Sequence, residues 1–170
     1  MPLHHKSTSG FYVLLLCGLI AANVSIYKII FAPRALEVTV LEVGKGEATL
    51  VQTSSGKTLL IDTGPDASIL RALGKELPMW QRRIDAVILT GTKASLVGGL
   101  PEVESRYRVP APVRVGDTIA PYGMSFIFDN SRIEIIAPAT FAISYGSTSL
   151  NISSSTPSGT YISNGQTIKH

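Results

Sequence analysis

The sequence has little cysteine and histidine, the two residue types that most often hold zinc. Its single cysteine, Cys17, cannot form an internal disulfide, and no Cys or His cluster has structural-zinc spacing. The three histidines are His4, His5 and His170, and all lie outside the segment patterned as a folded domain. This shortage excludes an imidazole metal site inside the domain, and with it the Ser-His-Asp and Cys-His catalytic arrangements.

The chain also lacks any long run of one charge. Its 15 basic and 12 acidic residues are interspersed and leave a formal net charge of +3. No basic stripe of the kind that follows a phosphate backbone is present, so nucleic-acid binding is permitted but not indicated. Arg82 and Arg83 stand together before an apolar run. Such a pair is typical of a solvated edge, and phosphate contact is the alternative.

One long apolar run predicts a membrane anchor. Residues 11–31 read FYVLLLCGLIAANVSIYKIIF and are uncharged before Lys28. As a helix this segment would extend about 31 Å, the thickness of a bilayer core. We therefore predict one transmembrane helix, in contact with membrane lipid, after an N-terminal flank of residues 1–10.

Two other interpretations of this run are weaker. Cleavage as a signal peptide would need a small-x-small site, and the following FAPRALE is a poor one. Lipidation at Cys17 is disfavoured because the bulky Leu16 precedes it and the apolar run continues beyond it. The flanking charges, Lys6 on one side and Arg34 on the other, leave the orientation open.

The rest of the chain has the pattern of one α/β domain. The length and a hydrophobic content of 45% allow one substantial core. Alternating and β-branched residues predict strands in LEVTVLEVG, in EATLVQTSSGKTLLID on both sides of a Ser-Ser-Gly turn, and in MSFIF, RIEIIA and STSLNIS. A helix capped by Asp66 is predicted to end before Pro78, and a short helix to lie near Gly99 to Tyr107. These elements predict a layered α/β fold built on a mixed β-sheet.

Two further expectations concern the cover of this fold. IDAVILT is apolar throughout, which predicts a central strand with helices on both faces. The sequence contains only about half of the helices needed to pack on both faces. We therefore expect exposed apolar surface and a domain of low stability. Residues 156–170 are rich in Ser, Thr and Gly with little to bury, and they are predicted to be a tail after a domain of residues 36–155.

Three motifs carry a resemblance to a known family. They are Val-Gly-x-Gly at Val43 to Gly46, Leu-Ile-Asp-Thr-Gly at Leu60 to Gly64, and a frame that runs from Thr90 to Gly98-Gly99-Leu100. In this order they resemble the metallo-β-lactamase-fold domain of the ComEC family of DNA-uptake competence proteins, from about Leu36 to Val109, with a weaker echo at ISYGSTSLNIS. The resemblance implies a partial metallo-β-lactamase-like fold, outside the cytoplasm, whose C-terminal half is largely missing.

The same resemblance implies that every metal ligand has been lost. The family's metal loop reads Thr-His-x-His/Asp-x-Asp-His, and its ligand positions fall here on Gly91, Lys93, Ser95 and Leu96. A later bridging carboxylate falls on Ser155. A catalytic zinc or manganese needs nitrogen or oxygen ligands and an open position for water, which these residues do not offer. We therefore predict no metal, no cofactor and no catalytic residue.

What remains is a frame of five residues: Asp62, Gly64, Thr90, Gly98 and Gly99. Asp62 either supports a metal loop or, as we favour, accepts hydrogen bonds from its own turn at Thr63 and Gly64. Thr90 ends its strand as a local hydrogen bonder, and the glycine pair is expected to allow close approach to the preceding strand.

Two expectations concern the charged groups near this frame. The resemblance implies that the strand ends at Leu60 to Thr63 and Ala86 to Thr90 lie side by side. Lys93 would then stand near Asp62 in place of a metal cation. The VGKG segment, Val43 to Gly46, is expected to be a tight connection between strands, because it lacks the length and the following helix of a phosphate-binding loop.

Two function hypotheses follow. The first is a membrane-anchored, non-catalytic ComEC-like domain that acts as an accessory or interaction module, with a protein partner or a second copy. The alternative is a hydrolase of the nuclease or phosphodiesterase type, with magnesium or manganese held by Asp62, Asp66 and Asp85. A truncated fragment of a larger competence protein is the third possibility.

Overall fold

The computed structural model describes residues 12–20, 35–116 and 120–170. The chain divides into two units, Met1–Pro33 and Arg34–His170. In the first unit, residues 12–20 form a helix, α1. Within the described residues, no helix is both long enough and apolar enough to cross a membrane. Residues 11 and 21–31 of the predicted span lie outside the described residues.

The second unit is a mixed α/β domain in which two sheets and a few helices form layers. Its strands and helices in chain order are β1 Leu36–Val40, β2 Thr49–Gln52, β3 Thr58–Ile61, α2 Ser68–Glu76, β4 Ala86–Leu89, α3 Ala94–Val97, α4 Leu100–Arg106, β5 Val113–Arg114, β6 Ser125–Phe128, β7 Ser131–Ala137, β8 Thr140–Tyr145, β9 Thr148–Ile152, β10 Gly159–Ser163 and β11 Ile168–Lys169.

The larger sheet is mixed and has the strand order β11-β10-β1-β2-β3-β4-β5. The β3–β4 and β4–β5 pairs are parallel, and the remaining pairs are antiparallel. The smaller sheet is an antiparallel meander, β6-β7-β8-β9. The predicted strands and both predicted helices are confirmed. Asp66 accepts a hydrogen bond from the Ser68 amide. The N-cap residue of α2 is however Ala67, which makes no side-chain capping bond, so the prediction of Asp66 as the cap is corrected.

Two apolar cores lie on opposite faces of the larger sheet, because side chains alternate along each strand. On β4, Val87 and Leu89 pack into the core formed with α2 and α4. Ile88, between them, packs into the second core, together with Ile133 and Ile143 of the smaller sheet. The central strand is therefore covered on both faces, by helices on one and by a second sheet on the other. Our expectation of helices on both faces, with half of the cover missing, is wrong.

Residues 156–170, predicted to be a tail with little to bury, contain strands β10 and β11 of the larger sheet. Strand β10 pairs along the whole of β1, from Leu36 opposite Ser163 to Val40 opposite Gly159. The Thr39 and Thr160 hydroxyls are hydrogen-bonded across this pair at 3.1 Å. The folded domain thus continues through β10, beyond the predicted boundary at Ser155.

Strand directions give the larger sheet two distinct edges. Strands β1, β3 and β4 run the same way, because β2 is antiparallel to its two neighbours and β3 is parallel to β4. Their first residues, Leu36, Thr58 and Ala86, lie along what we call the amino edge. Their last residues lie along the opposite carboxyl edge. The motifs of the sequence follow the carboxyl edge, and the Arg82-Arg83 pair precedes β4 at the amino edge.

Candidate functional site

The three motif loops converge at the carboxyl edge and are joined there by main-chain hydrogen bonds. The Gly64 amide donates to the Glu47 carbonyl at 3.0 Å, and the Glu47 amide donates to the Ser95 carbonyl at 3.2 Å. The Thr63 amide donates to the Leu96 carbonyl at 2.6 Å. The loop after β3 is therefore bonded both to the Val-Gly-x-Gly connection and to the loop after β4.

Glycines make this convergence possible. A side chain at Gly98 would overlap the carbonyl oxygen of Pro65, and one at Gly99 would overlap that of Thr63. The approach that these glycines allow is to the loop after β3. It is not to the preceding strand, β4, as the sequence led us to expect.

Asp62 stands at the centre of this edge, with only 1% of its surface exposed. One carboxylate oxygen, Oδ1, accepts the Thr90 amide at 2.8 Å, and the other, Oδ2, accepts the Thr90 hydroxyl at 2.6 Å. The backbone of Asp62 has φ +57°, in the left-handed region. The expected donors, the amides of Thr63 and Gly64, are bonded to other carbonyls, so the prediction of a local turn is corrected.

Thr90 extends this network to the segments around the smaller sheet. Its hydroxyl oxygen also accepts the Ala139 amide at 2.7 Å, just before β8. Its carbonyl accepts the Tyr122 hydroxyl at 2.8 Å. Thr90 is fully buried, and it therefore ties the end of β4 to Asp62, to the approach to β6 and to the β7–β8 turn. This is a larger role than the strand-ending one that we predicted.

Burial perturbs both carboxyl groups at this edge. Desolvation raises the pKa of Asp62 from 3.8 to about 7; the Thr90 hydrogen bonds oppose this rise, and the charge of Glu47 adds to it. Desolvation also raises the pKa of Glu47 above its ordinary value. Near neutral pH, Asp62 thus exists in both protonated and ionised forms.

The residues at the positions where the resemblance implies metal ligands do not provide a metal-binding donor set. Leu96 is buried, and its Cδ1 atom lies 2.9 Å from where a Cβ atom would stand on Gly91, so the two positions are packed together. The Ser95 carbonyl oxygen accepts a hydrogen bond from the Glu47 amide. Ser155 is exposed, and its hydroxyl is 2.9 Å from that of Ser153. The donor set for zinc or manganese is therefore absent at these positions.

Lys93 does not replace the cation either. It is exposed, whereas Asp62 is buried. The ion pairs in the described part of the chain join Lys75 to Glu42 and Arg83 to Asp85. The strand ends do lie side by side as expected, with Ile61 opposite Ile88, but the predicted Lys93–Asp62 pairing is not present.

The carboxylates of the alternative hydrolase hypothesis do not converge. Asp66 is exposed and bonded to the start of α2. Asp85 lies at the amino edge, where it accepts the Thr58 amide at 2.9 Å and pairs with Arg83. It is thus separated from Asp62 by the length of β3. Among the described residues, no group of three potential Cys, His, Asp or Glu ligands is close enough to hold a metal.

A cavity of about 360 Å³ opens beside Asp62 at the carboxyl edge. Its lining combines three carboxyl residues, Glu42, Glu47 and Asp62, with an apolar floor that includes Ile61 and Phe141. Hydroxyl groups complete the lining: Thr49, Ser153, Ser154, Thr156 and Ser158. Such a lining can accept hydrogen bonds from a cationic or hydroxyl-bearing group.

Sequence reasoning missed Glu47 and the role of the β9–β10 loop. The signal for Glu47 was available, since a carboxyl residue directly follows the Val-Gly-x-Gly turn at the end of the sheet. The loop residues 153–158 gave no such signal, because their position depends on the pairing of β10 with β1.

The comparisons with known proteins add no relative. No protein-family model matches the chain. No curated protein matches it either. The structure therefore assigns the chain only to an architectural class, that of layered α/β domains.

Proposed function

We propose that this protein is a membrane-anchored, non-catalytic module with a ComEC-like metallo-β-lactamase fold, which binds a partner. The packing of Leu96 against Gly91 carries the non-catalytic part of the proposal. It puts an apolar side chain where the resemblance implies a metal loop. The two oxygens of Asp62 are meanwhile engaged by Thr90. The anchor and the family resemblance rest on residues 11–31 and on the three sequence motifs.

The binding part of the proposal rests on the cavity beside Asp62. Its volume of about 360 Å³ is within the range of small-ligand sites. Glu47 and Asp62 over an apolar floor suit the end of a basic side chain from a protein partner. A link to DNA uptake follows only from the resemblance.

The proposal is tested by metal analysis and activity assays on the purified full-length chain. We expect no stoichiometric zinc or manganese, a melting temperature that chelators leave unchanged, and background readings in nuclease and phosphodiesterase assays. Lys93→Ala should change the free energy of unfolding by less than about 0.5 kcal/mol, as for other exposed substitutions, and should create no metal affinity.

The opposite result is equally specific. One metal ion per chain, lost together with a hydrolytic activity in Asp62→Ala but retained in Asp85→Ala, would instead establish a metal-dependent hydrolase whose site includes Asp62 and excludes Asp85. Asp85 is a suitable control because it lies at the amino edge, away from the cavity.

A further inference from the structure

A second surface lies at the amino edge, where two adjacent large apolar side chains project into solvent. Met79 and Trp80 are each 84% exposed, more than the other exposed large hydrophobic residues of the described chain. Trp80 is the only tryptophan of the sequence. Contiguous exposed apolar surface is typical of interaction sites.

This apolar tip is held in place by the residues on both sides of it. The Gln81 amide donates to the Pro78 carbonyl at 2.9 Å, which closes a turn around Met79 and Trp80. The Gln81 side-chain amide donates to the Thr58 hydroxyl at 2.8 Å, at the start of β3. Both ends of the turn are therefore fastened to the folded domain, and the tip projects from it.

Arginines stand directly beside the tip. Arg82 and Arg108 are neighbours, because the Arg108 amide donates to the Arg82 carbonyl at 2.8 Å. With Arg83 they line an open groove of about 460 Å³. Its one acidic lining residue, Asp85, pairs with Nε of Arg83 at 2.9 Å. The groove therefore keeps a positive charge.

The topology brings this surface to the edge at which the chain enters the domain. Leu36, the first residue of β1, lies along the same edge as Thr58 and Ala86. The apolar run of the sequence ends at Phe31, five positions earlier. Five residues extend at most about 18 Å. The sequence therefore leaves only a short connection between the proposed anchor and β1.

We propose that the Met79–Trp80 tip inserts into the interfacial layer of an anionic bilayer, with Arg82, Arg83 and Arg108 against the lipid phosphates. Tryptophan is favoured at that depth because its ring is amphipathic. Arginines near an anionic leaflet each strengthen the contact. A single-stranded nucleic acid fits less well, because its binding sites stack successive bases on several aromatic side chains and this tip has one. The inference rests on the membrane anchor of the proposed function and is independent of its non-catalytic part.

The test uses the fluorescence of Trp80 in the full-length chain. The protein is reconstituted into vesicles of phosphatidylcholine alone or of phosphatidylcholine with phosphatidylserine. In the anionic vesicles we expect a blue-shifted emission, quenching by lipids brominated in their acyl chains, and protection from acrylamide. In the neutral vesicles these changes should be much smaller, and added salt should reduce them in the anionic ones.

Variants separate the contributions of the tip and of the arginines. Each of Arg82→Gln, Arg83→Gln and Arg108→Gln should lower the ratio of docked to free tip about fivefold. Arg132→Gln is the matched control, because Arg132 is exposed on β7 of the smaller sheet; it should change nothing. Met79→Ser keeps the fluorophore and should reduce quenching by the brominated lipids. Circular dichroism checks that each variant remains folded.

Three results would overturn the inference. The first is a water-like emission of Trp80, open to acrylamide, in the anionic vesicles. The second is an equal shift in neutral and anionic vesicles that the arginine substitutions leave unchanged. The third is a shift on addition of a single-stranded oligonucleotide to the chain in neutral detergent, with none in anionic vesicles, which would assign the surface to nucleic acid.

Discussion

The buried carboxyl group of Asp62 gives the protein a pH dependence of known sign. Its pKa is about 7 in the folded chain against 3.8 ordinarily, so the folded state holds the proton more tightly than the unfolded state does. Between about pH 4 and pH 7 the unfolded chain binds fewer protons, and the free energy of unfolding therefore falls as the pH rises. The loss is on the order of a few kcal/mol and is complete above the folded pKa.

Asp62→Asn tests this directly. The amide cannot ionise, so we expect the fall in unfolding free energy between pH 4.5 and pH 8 to become much shallower, as measured by urea denaturation. Asp66→Asn is the control, because Asp66 is exposed and the Ser68 hydrogen bonds lower its pKa, which places its titration below this window. An unchanged slope in Asp62→Asn would show that Asp62 is ionised in the folded protein.

The sequence identified which residues meet at the carboxyl edge, but it did not identify their hydrogen-bond partners. The motifs identified Asp62, Thr90, Gly98 and Gly99 as one frame, and all four do meet at the carboxyl edge. The partners predicted for Asp62 were the amides of Thr63 and Gly64, because an aspartate often accepts hydrogen bonds within its own turn. The actual partner of Asp62 is 28 positions away, and it is set by the register of β3 on β4, which a single sequence does not specify.

Among the elements, β10 shows why sequence pattern alone misplaced the end of the domain. GTYIS is short and flanked by Ser, Thr and Gly, so it has little strand signal of its own. It becomes a strand because β1 would otherwise end the sheet with unpaired main-chain groups. Stronger patterns were predicted correctly. The apolar residues of α2 recur at helical spacing, and β4 lies in a short continuous apolar run with β-branched residues.

Two glycines provide a test of the close packing between the motif loops at the carboxyl edge. Gly98, which follows α3, has an ordinary helical φ of −63°, so alanine there would be disfavoured by overlap with the carbonyl groups of Pro65 and Ala94 and not by its backbone conformation. We expect Gly98→Ala to cost about 1–3 kcal/mol of unfolding free energy, as overpacking does. Gly74, inside α2, has open space beside it, and Gly74→Ala should stabilise the protein by about 0.5–1 kcal/mol.

Urea denaturation of the two glycine variants gives the comparison. Equal effects would mean that the loop after β3 can move away from α3. The close packing of the loop after β3 against Gly98 would then be wrong.

At the scale of the domain, the smaller sheet packs on the face of the larger sheet that the sequence analysis expected to lack helices. Its inner residues, including Ile133, Ile135 and Ile143, fill the core beneath β4 and its neighbours. Its outer face carries polar residues between the exposed Ile127 and Ile136. The second unit therefore has two apolar cores, and Met79 and Trp80 have the highest exposed fractions among its described large hydrophobic residues.

The anchor prediction concerns the whole chain. If residues 11–31 span the bilayer, the protein should stay in the membrane pellet after alkaline carbonate, which strips peripheral proteins. Its mass should be that of the uncleaved chain. An arginine in the centre of the run, as in Leu19→Arg, costs about 2.5–3.5 kcal/mol of insertion and should release part of the protein.

The arginine variants of the tip provide the contrast. They weaken only a surface contact, so they should remain in the carbonate pellet even where Trp80 no longer docks. Recovery of the unmodified sequence as a shortened soluble chain would instead show a cleaved signal peptide. In that case the tip and its arginines would have to hold the domain at the membrane alone, and wash-off by salt would become the expected behaviour.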